Sequence, residues 1–130
     1  MNKKSQGFTV IEIIFVALIA AFASTIFFIQ KNNIEVAATN NAKKSDINSI
    51  YYSLEEVFYV ANGYYPQTVT SENLKSVDPD AFKDPNGEAI NTSDGDYSYT
   101  PLDCNDNKCK KYELKAILEN EDDFIKSSRN

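Results

Sequence analysis

The chain has 130 residues, 42% of them hydrophobic, and a formal charge of −6 with no His. That length admits one small domain plus an anchor. The acidic balance excludes a general nucleic-acid binder, which works through a basic face, and the missing His removes the commonest neutral-pH base and metal ligand.

The first element is an apolar run. From Phe8 to Ile29 the only charged residue is Glu12. At about 1.5 Å per residue it reaches roughly 33 Å, enough to cross a hydrocarbon layer. A secretory signal peptide would account for Lys3 and Lys4 before the run and for the small-x-small site Ala21-Phe22-Ala23. It leaves unexplained the acid at Glu12 and the apolar character that continues through Phe27, Phe28 and Ile29. A plain transmembrane anchor explains the length but not the acid.

A third reading covers these details. The segment Lys3-Lys4-Ser5-Gln6-Gly7-Phe8-Thr9-Val10-Ile11-Glu12 resembles the prepilin leader of type IV pilins and pseudopilins. The resemblance implies that a membrane peptidase cuts between Gly7 and Phe8 and methylates the new amine of Phe8. It also matches Glu12 to the family's assembly glutamate. The implied divisions are a leader at 1–7, a hydrophobic transmembrane and assembly helix at 8–30, and a globular part at 31–130. Independently of the resemblance, a charge within a membrane helix costs on the order of 2.5–3.5 kcal/mol on insertion scales, so Glu12 needs a partner or a task. The expectation is that it accepts a charged hydrogen bond from the Phe8 amine of a neighbouring subunit staggered by about one turn. The rival is an interfacial acid snorkelling to headgroups.

No Pro or Gly occurs between Phe8 and Asn62, so the helix is expected to run on into water. Ile47, Ile50, Tyr51, Leu54, Val57, Phe58 and Ala61 form an amphipathic stripe for a domain core, with Ser49, Ser53, Glu55 and Glu56 between them. Asn62-Gly63 supplies a stop. The polar stretch from Gln30 to Asp46 lacks a stripe and is expected to fray or bend. Residues 63–96 read as connecting structure, with a short helix over Ser71–Val77 capped by Ser71 and a β-turn at Asp84-Pro85-Asn86-Gly87.

Strand signals come late: Asp96–Thr100, Tyr112–Leu118 and a short Phe124–Lys126. The fold class is therefore α+β: a long N-terminal helix, its amphipathic half packed on a small antiparallel sheet at 97–130. Cys104 and Cys109 lie between the two best strands. In an exported protein such an isolated pair reads as a disulfide closing a hairpin tip. A zinc site would need further ligands, and a redox pair usually has tighter spacing. Asp94, Asp96, Asp103, Asn105, Asp106 and Asn107 crowd one end of the expected sheet and tempt a calcium reading. Their spacing fails the EF-hand pattern, so they read as solvated turn residues. Lys108, Lys110 and Lys111 read as solvated loop lysines. Asn91-Thr92-Ser93 fits a glycosylation acceptor pattern that arises often by chance.

No nucleophile–base pair or phosphate loop is evident, and neither an enzyme, a metal nor a cofactor is expected. The resemblance implies a structural filament subunit, a pilin. Its precursor spans the inner membrane once, with Lys3 and Lys4 cytoplasmic. The implied partners are the prepilin peptidase and methyltransferase, an inner-membrane assembly platform, and further pilins, including copies of itself. A pseudopilin of a secretion or competence system is the alternative within the family. The alternative outside it is a membrane-tethered binding domain that does not polymerise.

Overall fold

A computed structural model describes residues 9–130. Lys3, Lys4, Gly7 and Phe8, on which the expected leader and cleavage site fall, lie outside the described residues. The chain divides into two compact units, Met1–Ala37 and Ala38–Asn130. The first helix, α1, spans Val10–Tyr52.

Within the first unit the large apolar side chains of residues 10–29 are all more than half exposed, from 54% at Leu18 to 76% at Ile11. A helix apolar on every side belongs in lipid or against other helices. The helical stretch Val10–Asn62 is long and apolar enough to cross a membrane. The two hydroxyls in the apolar run are satisfied by the helix itself: Ser24 Oγ donates to Ala20 O (2.7 Å) and Thr25 Oγ1 to Ala21 O (2.9 Å). Such back-bonding removes the desolvation cost that a free hydroxyl would carry in hydrocarbon.

In the second unit the polar part of α1 stays helical and does not fray, contrary to expectation. It lacks an apolar stripe because its inward face is polar. Asn40 and Lys43 are buried. Asn40 donates to Glu119 O (2.8 Å) and accepts from Glu119 N (3.0 Å). Lys43 Nζ donates to Asp96 Oδ2 (2.7 Å) and Ile117 O (3.0 Å). Satisfied buried polar groups hold this turn in place where apolar packing would otherwise be required.

The stripe then begins as expected: Ile47, Ile50 and Leu54 are fully buried. Over Ser53–Phe58 the helix widens into a π-helical segment. A π turn takes in an extra residue and rotates the following face. Ser53, Leu54 and Glu55 all point inward. Val57, expected in the core, is 52% exposed, and Ala61 is exposed as well. Glu55, expected on the wet face, is buried; Phe58 packs on the core as expected, and the half-buried Tyr59 joins it there. A final helical turn, α2 (Tyr59–Asn62), stops at Gly63, whose φ of 75° and N–H bond to Tyr59 O (2.7 Å) make a left-handed C-cap.

The connection holds a strand the sequence did not announce, β1 (Tyr65–Pro66). The expected helix over Ser71–Val77 is absent. Two successive turns form instead, closed by Leu74 N–H to Thr70 O and by Val77 N–H to Leu74 O (both 3.0 Å), with Asn73 Oδ1 accepting Thr70 N–H (2.9 Å) and Asn73 Nδ2 donating to Thr68 O (2.6 Å). Asn73 thus competes with a helix for the local backbone groups, and Leu74 and Val77 are buried without one. The Asp84–Gly87 turn forms as expected, with Gly87 at φ 89° and its N–H on Asp84 O (2.8 Å). The buried Asp84 side chain also accepts N–H groups from Asn86 (2.9 Å), Glu88 (3.0 Å) and Asp96 (3.0 Å).

The sheet is antiparallel. β2 is Tyr97–Asn105, β3 Lys108–Ala116 and β4 Phe124–Ser127. β3 pairs with β2 on one side and with both β1 and β4 on the other. The α+β class holds. Both long strands reach further than their alternation indicates, to a tip at Asp106-Asn107, while Ile117 and Leu118 leave β3. Tyr97, Tyr99, Tyr112, Leu114 and Ala116 face inward and are buried with Ile47, Ile50 and Leu54. Pro101 sits inside β2, yet β2 is an edge strand. Tyr97 O and Tyr99 N turn outward to Asn91, at 2.9 and 2.7 Å, and Pro101 shares their parity. Its missing N–H therefore falls on the open side and breaks no ladder bond.

Candidate functional site

Glu12 lies in the first turn of α1. Its Oε2 accepts the N–H of Thr9 (2.7 Å) and the Thr9 hydroxyl (2.9 Å), and Thr9 Oγ1 in turn faces the Glu12 N–H (3.4 Å). This reciprocal arrangement is a capping box, which satisfies helix-start donors that lipid could not. Thr9 was missed as a functional residue, although the signal is in the sequence: Thr, two residues, then an acid before an apolar run. Glu12 Oε1 accepts no bond among the described residues. Gly7 and Phe8, the expected cleavage and methylation positions, fall outside the described residues.

Cys104 and Cys109 form the expected disulfide, with an S–S distance of 2.03 Å. They face each other across β2 and β3, and Cys109 also pairs with Tyr65 of β1. The tip residues Asp106 and Asn107 have φ of 48° and 64°. Two left-handed residues between paired strands make the tight turn that matches strand twist, and Asp and Asn tolerate it better than most side chains. These acids therefore shape a turn. The acidic crowd read from the sequence is dispersed. Asp96 lies at the opposite end of β2, bound to Lys43, while Asp106 is at the tip. Among the described residues no group of three His, Cys, Asp or Glu side chains is placed to hold a metal. Asn91 of the acceptor pattern, at φ 68°, spends its Oδ1 on Tyr99 N–H (2.7 Å) and serves as a stand-in for an edge strand.

The hairpin lysines have a setting that the sequence did not give. Lys108 Nζ lies 5.1 Å from the centre of the Tyr64 ring. With Lys110, Lys111 and Tyr59 these residues line a pocket of about 480 Å³. None of the three lysines makes an ion pair among the described residues.

The other unannounced centre is Glu55. Tyr112 Oη donates to its Oε1 at 2.7 Å, Tyr65 Oη to its two oxygens at 3.2 and 3.1 Å, and the Arg129 N–H to Oε1 at 3.3 Å. Burial, and then the Glu55 carboxyl beside it, pushes the Tyr112 phenol far above its ordinary range. Arg129 spans onward to Glu56 and to Tyr51 Oη (3.0 Å), closing the C-terminal tail over this cluster. Periodicity could not find Glu55, because the π turn moves it across the helix. Comparison with family models, curated proteins and solved structures returns no match.

Proposed function

We propose that this chain is the structural subunit of a type IV pilus or a related surface filament. The apolar run holds the precursor in the inner membrane. Processing between Gly7 and Phe8 leaves a methylated amine at Phe8, and an inner-membrane platform then polymerises the subunit with copies of itself and other pilins. The supporting observation is a helix apolar on all sides whose lone acid, Glu12, keeps Oε1 without a partner among the described residues. An amine four residues earlier on a neighbour staggered by about one turn has the charge and the reach to take that oxygen. Contact by such a repeated stagger is heterologous and does not close, which is how fibres form. The sheet unit then carries whatever the filament presents.

Mass spectrometry of the mature protein tests the reading. A chain beginning at methylated Phe8 is expected; a chain beginning at Met1, or near Ala23, refutes it. Glu12→Ala and Glu12→Gln are expected to lower filament yield, and wild-type yield from both would remove the role given to this acid.

A further inference from the structure

We infer that the pocket at the base of the disulfide hairpin is a binding site for a small acidic sugar carrying one carboxylate, of the uronic acid kind. The inference concerns the sheet unit and stands whether or not the chain polymerises.

Four observations carry it. The pocket is concave, and its volume of about 480 Å³ lies within the roughly 300–1,000 Å³ typical of small-molecule sites. Its cations are uncommitted: in a chain of charge −6, Lys108, Lys110 and Lys111 stand together with no ion pair among the described residues. Its wall is aromatic. Tyr59 stacks on Tyr65 at 4.7 Å between ring centres, and Tyr64 is held edge-on to Phe58 at 5.8 Å. Finally, the site is built before any ligand arrives. The disulfide, the left-handed tip and the pairing of Tyr65 with Cys109 fix the lysine strand against the helix end. At Gly63 nothing lies within 4 Å of where a Cβ would stand, so that side of the pocket stays open. A preformed site saves the ordering cost of binding.

The chemistry follows from the pairing of rings with ammonium groups. A sugar presents a C–H face to a phenol ring and hydroxyls to lysines, and its carboxylate takes a charge-assisted bond from Lys108 or Lys110. Tyr64 acts as a positioning residue, holding Lys108 Nζ over its ring. Extended polyanions fit poorly. Asp103 lines the same pocket, Asp106 stands at the tip, and the whole chain is acidic. One negative charge finds Lys108 and Lys110 on one face of the strand here; a long run of them meets the carboxylates of Asp103 and Asp106.

The experiment is an NMR titration of the full chain in detergent with methyl glucuronide, against methyl glucoside as the neutral match and a DNA duplex as the polyanion. Saturable shifts of hairpin resonances are expected with the glucuronide, at least about tenfold tighter than with the glucoside. Lys108→Gln and Tyr64→Ala should each weaken glucuronide binding about tenfold, while Lys75→Gln, outside the pocket, leaves it unchanged. Near-UV circular dichroism reports whether Tyr64→Ala keeps the fold; should it not, the exposed changes Lys108→Gln and Lys110→Gln decide the matter alone. No saturable response, equal response to the glucoside, wild-type binding by the lysine variants, or tighter binding of the duplex would each overturn the inference.

Discussion

Replacing Glu55 by Leu removes the one acceptor that serves two phenols and a backbone N–H. Tyr65 and Tyr112 are 0% and 1% exposed, so neither hydroxyl can turn to water. Stripping a buried donor of its partner costs about 1–3 kcal/mol, giving roughly 2–6 kcal/mol for the pair. Burying the apolar Leu side chain returns about 1–2 kcal/mol. The Arg129 N–H belongs to an exposed residue and adds little. Taking the midpoints, the expected net loss is about 2.5 kcal/mol, a fall in Tm of roughly 10–20 °C for a unit of this size. Glu55→Gln, which keeps an acceptor oxygen in the same place, should cost only about 1 kcal/mol. Adding Tyr65→Phe and Tyr112→Phe to Glu55→Leu deletes the stranded donors and should restore most of the loss. Guanidinium unfolding of the full chain in detergent, followed by the near-UV dichroism of its tyrosines, measures all four proteins. A Glu55→Leu variant within about 0.5 kcal/mol of wild type, or no recovery in the triple variant, would refute the account of this cluster.

Two pH responses follow. Burial alone would raise the Asp84 carboxyl, but the N–H groups of Asp96, Glu88 and Asn86, with Lys43 nearby, outweigh it and hold the carboxyl below its ordinary value. A group lowered on folding stabilises above its unfolded pKa of about 3.9 and loses that contribution as pH falls through the folded value. Asp84→Asn should therefore cost about 1–3 kcal/mol at neutral pH and flatten stability in the acid limb, as urea midpoints across that range will show; an unchanged acid limb would contradict it. At the other extreme, burial raises the phenols of Tyr65, Tyr97, Tyr99 and Tyr112 above their usual value. Their stabilisation is complete below pH about 10 and is lost as pH rises. Ultraviolet titration should show these four ionising together with alkaline unfolding.

What could be read in advance was whatever one residue type or one short spacing determines. The apolar run, the Gly63 stop, the Asp84–Gly87 turn, the late strands and the Cys104–Cys109 bridge each rest on local chemistry. The failures share a different cause. The π segment breaks the period on which the stripe argument rests, so Glu55 and Val57 exchange places. Asn40 and Lys43 are polar in composition but interior in position, because their partners, Asp96 and the segment from Ile117 to Glu121, lie far along the chain. β1 is too short to carry a pattern and exists only because β3 offers it an edge. Pro101 masks a strand until the open side of β2 is known. Of the candidate site, the cysteine pair was legible; Thr9 was present as a capping signal before Glu12, and the pocket beside Tyr64 depends on a meeting of helix end and hairpin that no local window contains.

Pro101 has a further effect wherever many copies are concentrated. The outer margin of β2 is the natural place for a second molecule's strand to add by hydrogen bonding. Asn91 already occupies the beginning of that margin, Pro101 offers no donor in its middle, and Asp103, at φ 53°, turns the remainder out of line. Molecules held shoulder to shoulder thus find no continuous seam along which to zip, and accidental cross-β growth is denied a template.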